Sequence, residues 1–189
     1  MQIEISQIAN LPSHFGMFKV QSFKEGKKEH LVIFKEPFGD ILNVRIHSEC
    51  LTGDALGSLK CDCGDQLAAS LKYIYENTGM VIYLRQEGRN IGLLNKINAY
   101  SLQDKGYDTI EANHQLGFKA DERTYEIVDF ILKHYGIKKI NLLTNNPQKL
   151  MGLKCVEVVK RVPIIIKSNK YNEKYLKVKQ EKMGHMLDD

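Results

Sequence analysis

An apolar strand that runs directly into a glycine-bearing turn and a helix constrains this chain's fold more than any other stretch. Residues 79–86 read GMVIYLRQ, residues 87–92 read EGRNIG, and residues 91–106 have the pattern of a helix. A strand joined to a helix in this way is the repeating unit of α/β folds, and its turn commonly binds ligands. The unit therefore predicts an α/β fold with a ligand site at the end of this strand.

The N-terminal part of the chain is rich in short strand patterns. Residues 11–23 and 30–36 are enriched in β-branched and aromatic residues, with a polar turn between them. Residues 40–47 then alternate apolar and polar side chains, which brings Arg45 and His47 to the end of a strand. We therefore expect a mainly antiparallel strand region at the N-terminus.

Helical patterns follow these strands. Apolar residues recur at helical spacing in residues 66–79 and 122–136. Residues 51–59 are compatible with a short helix that Thr52 would cap. Residues 107–121 are polar and aperiodic, so we predict a long loop there, and loops of that length are usually functional.

The C-terminal third adds two strands and a charged end. Residues 138–146 form a strand pattern that ends at Asn-Asn-Pro, and residues 156–166 form a second one interrupted at Pro163. Residues from about 170 to 189 are highly charged, and we expect an exposed helix with a mobile end. The fold class predicted is α/β, a mixed β-sheet flanked by helices, in a single domain spanning residues 1–189.

The net charge and the hydropathy of the chain limit which partners the protein can have. The net charge of +4 suits an anionic small molecule or a weak contact with nucleic acid, and it does not choose between them. The first ten residues lack the pattern of a signal peptide, and no apolar run reaches transmembrane length. We expect a cytoplasmic protein without a membrane partner, in which thiols stay reduced.

Three of the four cysteines, Cys50, Cys61 and Cys63, follow the strand that ends near His47. Thiolates at this density most often bind zinc. Three protein ligands leave a position open for water, as in catalytic sites, whereas His47 as a fourth ligand would close a structural site. The C-x₁₀-C-x-C spacing is not that of a standard zinc finger, which favours an enzyme, and Cys155 is expected in the core.

Other polar clusters lie where strands end or helices begin. The turn at residues 85–92 combines two arginines with two glycines and suits a phosphate group, although charged turns are also common on surfaces. Asp121 precedes a predicted helix and is as compatible with an N-cap as with catalysis. Residues 143–149, LTNNPQK, end a strand where α/β sheets line ligand crevices. Tyr100 lies within a predicted helix, where a packed tyrosine is the default interpretation.

Three long blocks, residues 45–67, 83–125 and 142–149, closely resemble GTP cyclohydrolase II, and shorter matches follow at RVPI and EKMGH. The resemblance implies zinc-dependent hydrolysis of GTP to 2,5-diamino-6-ribosylamino-4(3H)-pyrimidinone 5′-phosphate, formate and pyrophosphate, the first committed step of riboflavin biosynthesis. Some family members carry a fused dihydroxybutanone phosphate synthase domain, and we expect this chain to be the monofunctional form. The family also implies a homodimer.

The resemblance assigns roles to individual residues. It implies one catalytic zinc ion per chain, held by Cys50, Cys61 and Cys63. The positions that match the family's GTP contacts are Arg45, Ile46, His47, Ser48, Glu49, Gln66, Glu87, Gly88, Arg89, Thr109, Thr144 and Lys149. Asp121 matches the family's proton acceptor, Arg123 its proposed nucleophile toward the α-phosphorus, and Tyr100 a tyrosine of its active site.

These roles suggest a mechanism with open alternatives. Zinc lowers the pKa of its bound water toward about 7, which would supply hydroxide for attack at C8 of guanine. Loss of pyrophosphate would need Mg²⁺ on the triphosphate and basic side chains such as Arg85 and Arg89. Arg123 either bonds covalently to the α-phosphorus, with Asp121 accepting a proton, or only stabilises charge. Glu111 and Gln66 are the first candidates for contacts to the guanine edge.

Two other functions compete with this one. A related GTP hydrolase would open the ring and stop at the formamidopyrimidine, and a formate assay distinguishes it. A zinc-stabilised nucleic-acid-binding module would show a basic stripe with exposed aromatic residues. The arginines here lie in glycine-bearing turns beside carboxylates, so we expect GTP as the partner and no nucleic acid.

Overall fold

A mixed β-sheet of eight strands runs through the structure, a computed structural model that describes residues 2–187. The strands are β1 (Ile3–Ile5), β2 (Ala9–Ser13), β3 (Gly16–Glu25), β4 (Lys28–Lys35), β5 (Leu42–Ser48), β6 (Gly79–Leu84), β7 (Lys139–Leu143) and β8 (Glu157–Val162). The helices in the same range are α1 (Leu51–Asp54), α2 (Cys63–Asn77), α3 (Gly92–Asp104), α4 (Thr109–Gln115), α5 (Glu126–His134), α6 (Pro147–Met151) and α7 (Glu173–Met183). The predicted fold class, α/β with a mixed sheet, is confirmed.

The sheet has an antiparallel half and a parallel half. Its strand order is β1-β3-β4-β6-β5-β7-β8, with β2 also paired to β3. Strands β1 to β4 pair antiparallel, and β4 joins β6 in the same sense, whereas β6, β5, β7 and β8 run parallel. The mainly antiparallel N-terminal region is therefore confirmed.

Strand β5 lies at the point where the chain changes direction across the sheet. Its sequence neighbour β6 pairs on one side of it, and β7 pairs on the other. In open α/β sheets ligands bind beyond the carboxyl ends of the strands at such a switch point. The segments that follow β5, β6 and β7 are therefore brought together at one edge of the sheet.

Alternation along β5 gives its two faces different chemistry. Val44 and Ile46 are fully buried in the apolar core that α5 covers with Ile127, Ile131 and their neighbours. Burying each large apolar side chain contributes about 1.5–3 kcal/mol, so this face anchors the strand. Arg45 and His47 alternate with these residues and therefore point to the other face, toward α1 and α2.

The structure corrects two predictions about local structure near the site. Residues 107–121 are not wholly a loop, because Asp108 and Glu111 form a capping box that begins α4 at Thr109. Helix α1 begins at Leu51, directly after Cys50, so Thr52 does not cap it.

A further expectation, about α5, is also corrected. Helix α5 begins only at Glu126, which excludes Asp121 as its N-cap. Cys155 lies just before β8, where it is partly buried and packs against the apolar core as expected, and its thiol is 3.4 Å from the carbonyl oxygen of Asp129.

The C-terminal helix α7 is less exposed than the charge pattern predicted. Leu176 and Lys179 are both buried within it. The backbone N–H of Met186, beyond the helix, donates to the carbonyl oxygen of Asn145 at 2.9 Å. These contacts join the C-terminal segment to the end of β7, and mobility of residues 170–189 stays a prediction. No helix within residues 2–187 is long and apolar enough to cross a membrane.

Candidate active site

A cleft opens at the carboxyl ends of β5, β6 and β7. Its empty volume is about 1110 Å³, including the solvent at its mouth, and it is lined by residues that follow each of the three strands. Among them are Glu49 and Cys50 after β5, Gly88 and Arg89 after β6, and Asn145 after β7. The predicted location of the ligand site agrees with this edge of the sheet.

The three cysteines converge at one wall of the cleft. The Sγ atoms of Cys50, Cys61 and Cys63 lie within 4.8 Å of one another, and those of Cys50 and Cys61 are 3.7 Å apart. Tetrahedral zinc with Zn–S bonds of about 2.3 Å separates its sulfur ligands by about 3.8 Å, so the spacing fits this ion. Within residues 2–187 this is the one cluster of at least three such side chains placed to hold a metal ion.

Helix α1 brings Cys50 onto the other two thiols. Its Gly53 is buried, and a Cβ atom there would lie 2.8 Å from the Sγ of Cys61 and 3.2 Å from that of Cys50. Glycine is therefore required for this close approach. The carboxylate of Asp54 accepts from the backbone N–H of Cys50 at 2.9 Å and from the Tyr83 hydroxyl at 2.7 Å, which anchors the helix to β6.

His47 does not join the thiol cluster. Its Nε2 atom is 3.0 Å from Asp54 Oδ1, and its Nδ1 atom is 3.4 Å from the guanidinium of Arg45. Burial is the main cause of a lowered pKa at His47, although Asp54 opposes it. The structure thus leaves the site with three protein ligands, the arrangement that keeps a position open.

The thiols differ in their affinity for protons. Hydrogen bonds from Cys61 and Cys63, together with the ammonium of Lys96, lower the pKa of Cys50. The same bonding raises the pKa of Cys61 to about 11 and also raises that of Cys63. Metal binding to such a site releases protons, since thiolates are the ligands.

Lys96 and Glu87 support the cluster from α3 and the turn after β6. The Nζ atom of Lys96 is 3.2 Å from Cys50 Sγ and 2.8 Å from Glu87 Oε1. Glu87 also accepts from the backbone N–H groups of Leu51 at 2.6 Å and Gly88 at 2.8 Å. Both oxygens of this predicted GTP contact are therefore engaged inside the protein.

Three cations of the cleft bond to backbone carbonyl groups. Lys149 Nζ donates to the carbonyl of Ile46 at 2.7 Å, Arg45 to that of Leu143 at 3.1 Å, and Arg89 to that of Ala120 at 3.1 Å. None of the three has a carboxylate partner within 4.0 Å among the residues that the structure describes.

Burial makes two of these cations, Arg45 and Lys149, receptive to an anion. It lowers the pKa of Arg45 to about 10. Burial, with repulsion from Arg45 and Arg123, lowers the pKa of Lys149 well below its ordinary value. A buried positive charge without a counter-ion is costly, and a bound polyanion would remove that cost.

Arg123 and Asp121 form a bidentate ion pair beside the cleft. Arg123 Nε donates to Asp121 Oδ1 at 2.9 Å, and its Nη2 donates to Asp121 Oδ2. Burial opposes charge at both groups, but their mutual attraction prevails, so the pKa of Arg123 is raised and that of Asp121 is lowered. Arg123 lines the cleft, where its Nη1 is 3.5 Å from Ser48 Oγ, whereas Asp121 lies behind it.

Tyr100 reaches the cleft from α3. Its hydroxyl is 3.4 Å from Thr52 Oγ1, and burial raises its pKa to about 12. The phenol is therefore protonated near neutral pH and is placed to donate a hydrogen bond. Its position beside the thiol cluster differs from that of a tyrosine packed only for stability.

The structure brings most of the predicted contacts together. Besides the residues already described, the cleft is lined by Gln66, Thr109 and Thr144. Gln66 is engaged on both sides, since its Oε1 accepts from Arg45 at 2.6 Å and its Nε2 donates to Asp62 at 2.5 Å. Ile46 differs, because its side chain is in the core and it faces the site through its carbonyl group.

Two residues proposed from sequence lie outside the cleft. Arg85 pairs with Glu49 at 2.9 Å, its side chain is half exposed, and it lines a separate shallow depression. Glu111 is committed to the capping box, where it accepts from the backbone of Asp108 at 2.9 Å. Neither position supports the expected contact to triphosphate or to the guanine edge.

Sequence reasoning also missed cleft residues. These come from the loop before α2, from α3 and α4 and from the C-terminal segment, and they include Lys60, Lys96, Asn113, Tyr175, Lys179, Met183 and His185, whereas Asn145 and Asn146 lie in the strand end that the sequence predicted to line a crevice. The resemblance at EKMGH is the one sequence signal for the cleft residues of the C-terminal segment. It gives no role to any residue in that segment.

An α/β fold with a three-thiol cluster in a cationic cleft is suited to a metal ion and an anionic ligand, and comparison with known proteins gives the family. A family model described as GTP cyclohydrolase II matches residues 4–163, which is most of the chain. The chain belongs to the GTP cyclohydrolase II family, so the predicted resemblance and the prediction of a hydrolase are confirmed.

Curated relatives agree over the full length. A GTP cyclohydrolase-2 of Campylobacter hominis is 77% identical over 189 residues, which cover 100% of this chain and 98% of the relative. A GTP cyclohydrolase-2 of Helicobacter pylori (strain Shi470) is 56% identical over 190 residues, covering 98% of this chain and 99% of the relative.

A solved structure shares the fold. The two-domain 3,4-dihydroxy-2-butanone 4-phosphate synthase from A. baumannii matches with a TM-score of 0.50 at 17% sequence identity. The match covers 85% of this chain and 40% of that one. At this identity it supports the α/β fold alone.

Proposed function

We propose that this chain hydrolyses GTP to 2,5-diamino-6-ribosylamino-4(3H)-pyrimidinone 5′-phosphate, formate and pyrophosphate, the first committed step of riboflavin biosynthesis. The observation that carries this function is one cleft that holds both a three-thiol cluster and three cations lacking carboxylate partners within the described residues, of which Arg45 and Lys149 are buried and Arg89 is half-buried. The thiol cluster suits chemistry at the base, and the cations suit a polyphosphate. Family membership supplies the identity of the nucleotide.

Cys50, Cys61 and Cys63 would hold the zinc ion, whose spacing they fit. When bound, zinc supplies Lewis acidity that makes water a nucleophile at a pH of about 7. Lys96 donates to Cys50 at 3.2 Å and thereby offsets part of the negative charge of three thiolates. Glu87 orients Lys96, which is a supporting role for a residue expected to touch GTP.

Arg45, Arg89 and Lys149 bind the triphosphate, because its oxygens replace the backbone carbonyl groups as their partners. Mg²⁺ enters with the triphosphate as part of the substrate. Ser48, Thr109 and Thr144 offer hydroxyl groups at the same walls, and residues 45–49 offer the backbone of the β5 end. Arg85 is left out of this set because it pairs with Glu49 outside the cleft.

Tyr100 serves the ring chemistry. The products require two additions of water at C8, the first opening the imidazole ring and the second releasing formate. Each cleavage needs a proton on the departing nitrogen, and the protonated phenol of Tyr100 lies beside the thiol cluster to give it. His47 is neutral and is held in place by Asp54, so it shapes the site without adding charge.

Arg123 stabilises charge on the α-phosphate while water breaks the bond to pyrophosphate. Its pKa is raised by the ion pair, which makes loss of the proton that a nucleophile requires less favourable. Asp121 has a lowered pKa and is correspondingly a weak proton acceptor as long as the pair persists. Acid quench of enzyme with GTP labelled at the α-phosphorus tests this, since a covalent nucleotide on Arg123 would contradict it.

Product analysis tests the function as a whole. Purified wild type and Cys61→Ser are incubated with GTP and Mg²⁺, and formate and pyrophosphate are assayed separately. We expect wild type to release both products and zinc-depleted Cys61→Ser to lose formate release. Wild type that has full zinc occupancy and releases neither product would contradict the function.

The alternative functions have less support. Release of pyrophosphate without formate would indicate the hydrolase that stops at the formamidopyrimidine. A nucleic-acid-binding module is disfavoured because Arg45 and Lys149 are buried in a cleft instead of forming an exposed stripe.

The oligomeric state and the cellular location are part of the same proposal. A single-domain chain forms a homodimer in the cytoplasm, where the thiols stay reduced. Helix α3 exposes Leu93, Leu94 and Ile97, an apolar surface that a second copy would cover. Sedimentation analysis of wild type and Leu94→Lys tests this. A wild-type monomer at micromolar concentration would contradict it.

A further inference from the structure

The C-terminal segment, residues 173–187, forms a wall of the cleft. Tyr175, Lys179, Met183 and His185 all line it. One backbone bond joins the segment to the end of β7, from Met186 N–H to the carbonyl of Asn145 at 2.9 Å, and a second, from His185 N–H to the carbonyl of Lys179 at 3.0 Å, closes α7 within the segment. The segment therefore meets the same space as the triphosphate-binding cations.

Lys179 is the charged group that this wall contributes. Its Nζ atom is 2.9 Å from Asp62 Oδ1 and 4.4 Å from the centre of the Tyr175 ring, and its side chain is 11% exposed. Burial opposes its charge, but Tyr175 and Asp62 more than compensate, so its pKa is raised and the ammonium persists. An ammonium has three N–H donors, and Asp62 accepts one of them.

The environment of Lys179 is positive on its cleft side. It repels Lys149 strongly enough to contribute to the lowered pKa of that residue. His185 is kept neutral, because burial and the cations Lys179, Arg123 and Lys149 lower its pKa to about 3. Lys179, Arg123 and Lys149 all line the cleft, and positive charges that converge on one space indicate a site for a group with several negative charges.

We propose that Lys179 of the C-terminal helix binds the phosphate chain of the substrate directly, and that the C-terminal segment closes the triphosphate end of the cleft. This inference rests on the proposed function only in taking a nucleoside triphosphate as the ligand. It adds a fourth cation, from α7, to Arg45, Arg89 and Lys149.

The ion pair with Asp62 offers a second way for Lys179 to act, which must be distinguished from direct contact with phosphate. Asp62 lies between two metal-ligating cysteines, so Lys179 also links α7 to the thiol cluster. If Lys179 acted only by holding Asp62, then Asp62→Asn would reproduce the effect of removing it. A direct phosphate contact predicts that Lys179→Met loses far more affinity for triphosphate than Asp62→Asn does.

Calorimetric titration of zinc-loaded protein with inorganic triphosphate tests the contact without any ring chemistry. We expect Lys179→Met to weaken binding about tenfold to a hundredfold, and Lys179→Arg to retain it within a few-fold. Lys177→Met is the matched control on the same helix, since the Lys177 side chain is 69% exposed. Unchanged affinity in a folded, zinc-loaded Lys179→Met protein would overturn the inference, as would equal losses in Asp62→Asn.

A crystal structure of the wild type with inorganic triphosphate provides a test that does not depend on a variant folding. We expect Lys179 Nζ within about 3.2 Å of a phosphate oxygen. A helix α7 that leaves the cleft, or an Nζ that faces away from the ligand, would overturn the inference. Wild type that binds triphosphate through Lys179 but releases no formate from GTP would instead contradict the proposed function and leave the phosphate site standing.

Discussion

Replacing Gly53 by alanine tests whether the packing of α1 sets the geometry of the thiol cluster. The added Cβ would lie 2.8 Å from Cys61 Sγ, 3.1 Å from Cys63 Cβ and 3.2 Å from Cys50 Sγ. These neighbours belong to the three cysteines proposed to hold zinc, so they cannot move apart without changing the distances between sulfurs. Overpacking of this kind costs about 1–3 kcal/mol, which corresponds to a roughly 5-fold to 150-fold loss of zinc affinity.

Competition with a chromophoric chelator measures that affinity, and calorimetry of the zinc-loaded and metal-free proteins separates it from folding. On helix propensity alone Gly53→Ala would stabilise the protein by about 0.5–1 kcal/mol. Helix propensity and overpacking of the thiol cluster therefore have opposite effects on stability. Gly39→Ala is the control, because its Cβ would meet only a carbonyl oxygen 4.0 Å away. Zinc affinity equal to that of wild type in Gly53→Ala would refute the role of this close packing.

Three further substitutions separate binding, stability and chemistry. Lys149→Met removes a buried basic group that has no carboxylate partner within the described residues, so we expect a higher melting temperature together with a KM for GTP raised at least about tenfold. The control is Lys154→Met, at an exposed position, which should leave both values unchanged. A lower melting temperature of Lys149→Met would contradict this. Asp121→Asn removes a carboxylate whose pKa is lowered in the folded protein, so this carboxylate contributes stability above the unfolded-state pKa of about 3.9. The loss in the free energy of unfolding of the variant, measured with urea, is therefore full at pH 7 and shrinks as the pH falls through the folded-state pKa. A deficit independent of pH would count against the ion pair. Tyr100→Phe should reduce formate release by about 10²–10⁴-fold and leave the Kd for inorganic triphosphate unchanged, unlike exposed Tyr107→Phe, which should change neither.

Local patterns predict the half of the site that lies on the parallel strands. Alternation in residues 40–47 is enough to place Arg45 on the face opposite the core, because the period of a strand is two. The strand and glycine turn at residues 79–92 locate the cleft, since parallel strands end at a common edge. The cysteine spacing by itself indicates a metal site, because thiolates crowded into so short a stretch of a reduced protein most often bind zinc.

Residues whose partners are not apparent from local patterns are harder to assign. Asp108 and Glu111 have the spacing of a capping box, and that signal is present in the sequence although the polar composition of residues 107–121 favours a loop. Once Glu111 serves α4, it is not available to read guanine. Asp121 precedes a helix by too many residues to cap it, and its carboxylate pairs with Arg123 instead.

The C-terminal wall could not be predicted, because it depends on contacts between distant parts of the chain. Lys179 meets Asp62 across a separation of 117 residues, and neither residue carries a periodicity that identifies the other. A charge-rich C-terminal helix normally indicates exposure to solvent. Only the fold reveals that one face of α7 covers the cleft.

The buried cations explain why the site lies at the switch point of the sheet. Arg45 on β5 is itself only 4% exposed, and Val44 and Ile46 on either side of it anchor the strand in the core, so its guanidinium cannot reach bulk solvent by a small shift. Lys149 is tied to the carbonyl of Ile46, on the same strand. The charge of Arg45 is thus held rigidly, at a cost to stability that the unliganded protein bears, and a bound anion would favour the protonated form of Lys149, whose pKa burial lowers well below its ordinary value. A ligand with several negative charges removes that cost on binding, and a neutral ligand would not. We therefore expect the rigid positive charge of this cleft to select a polyphosphate over a nucleoside before the base is recognised.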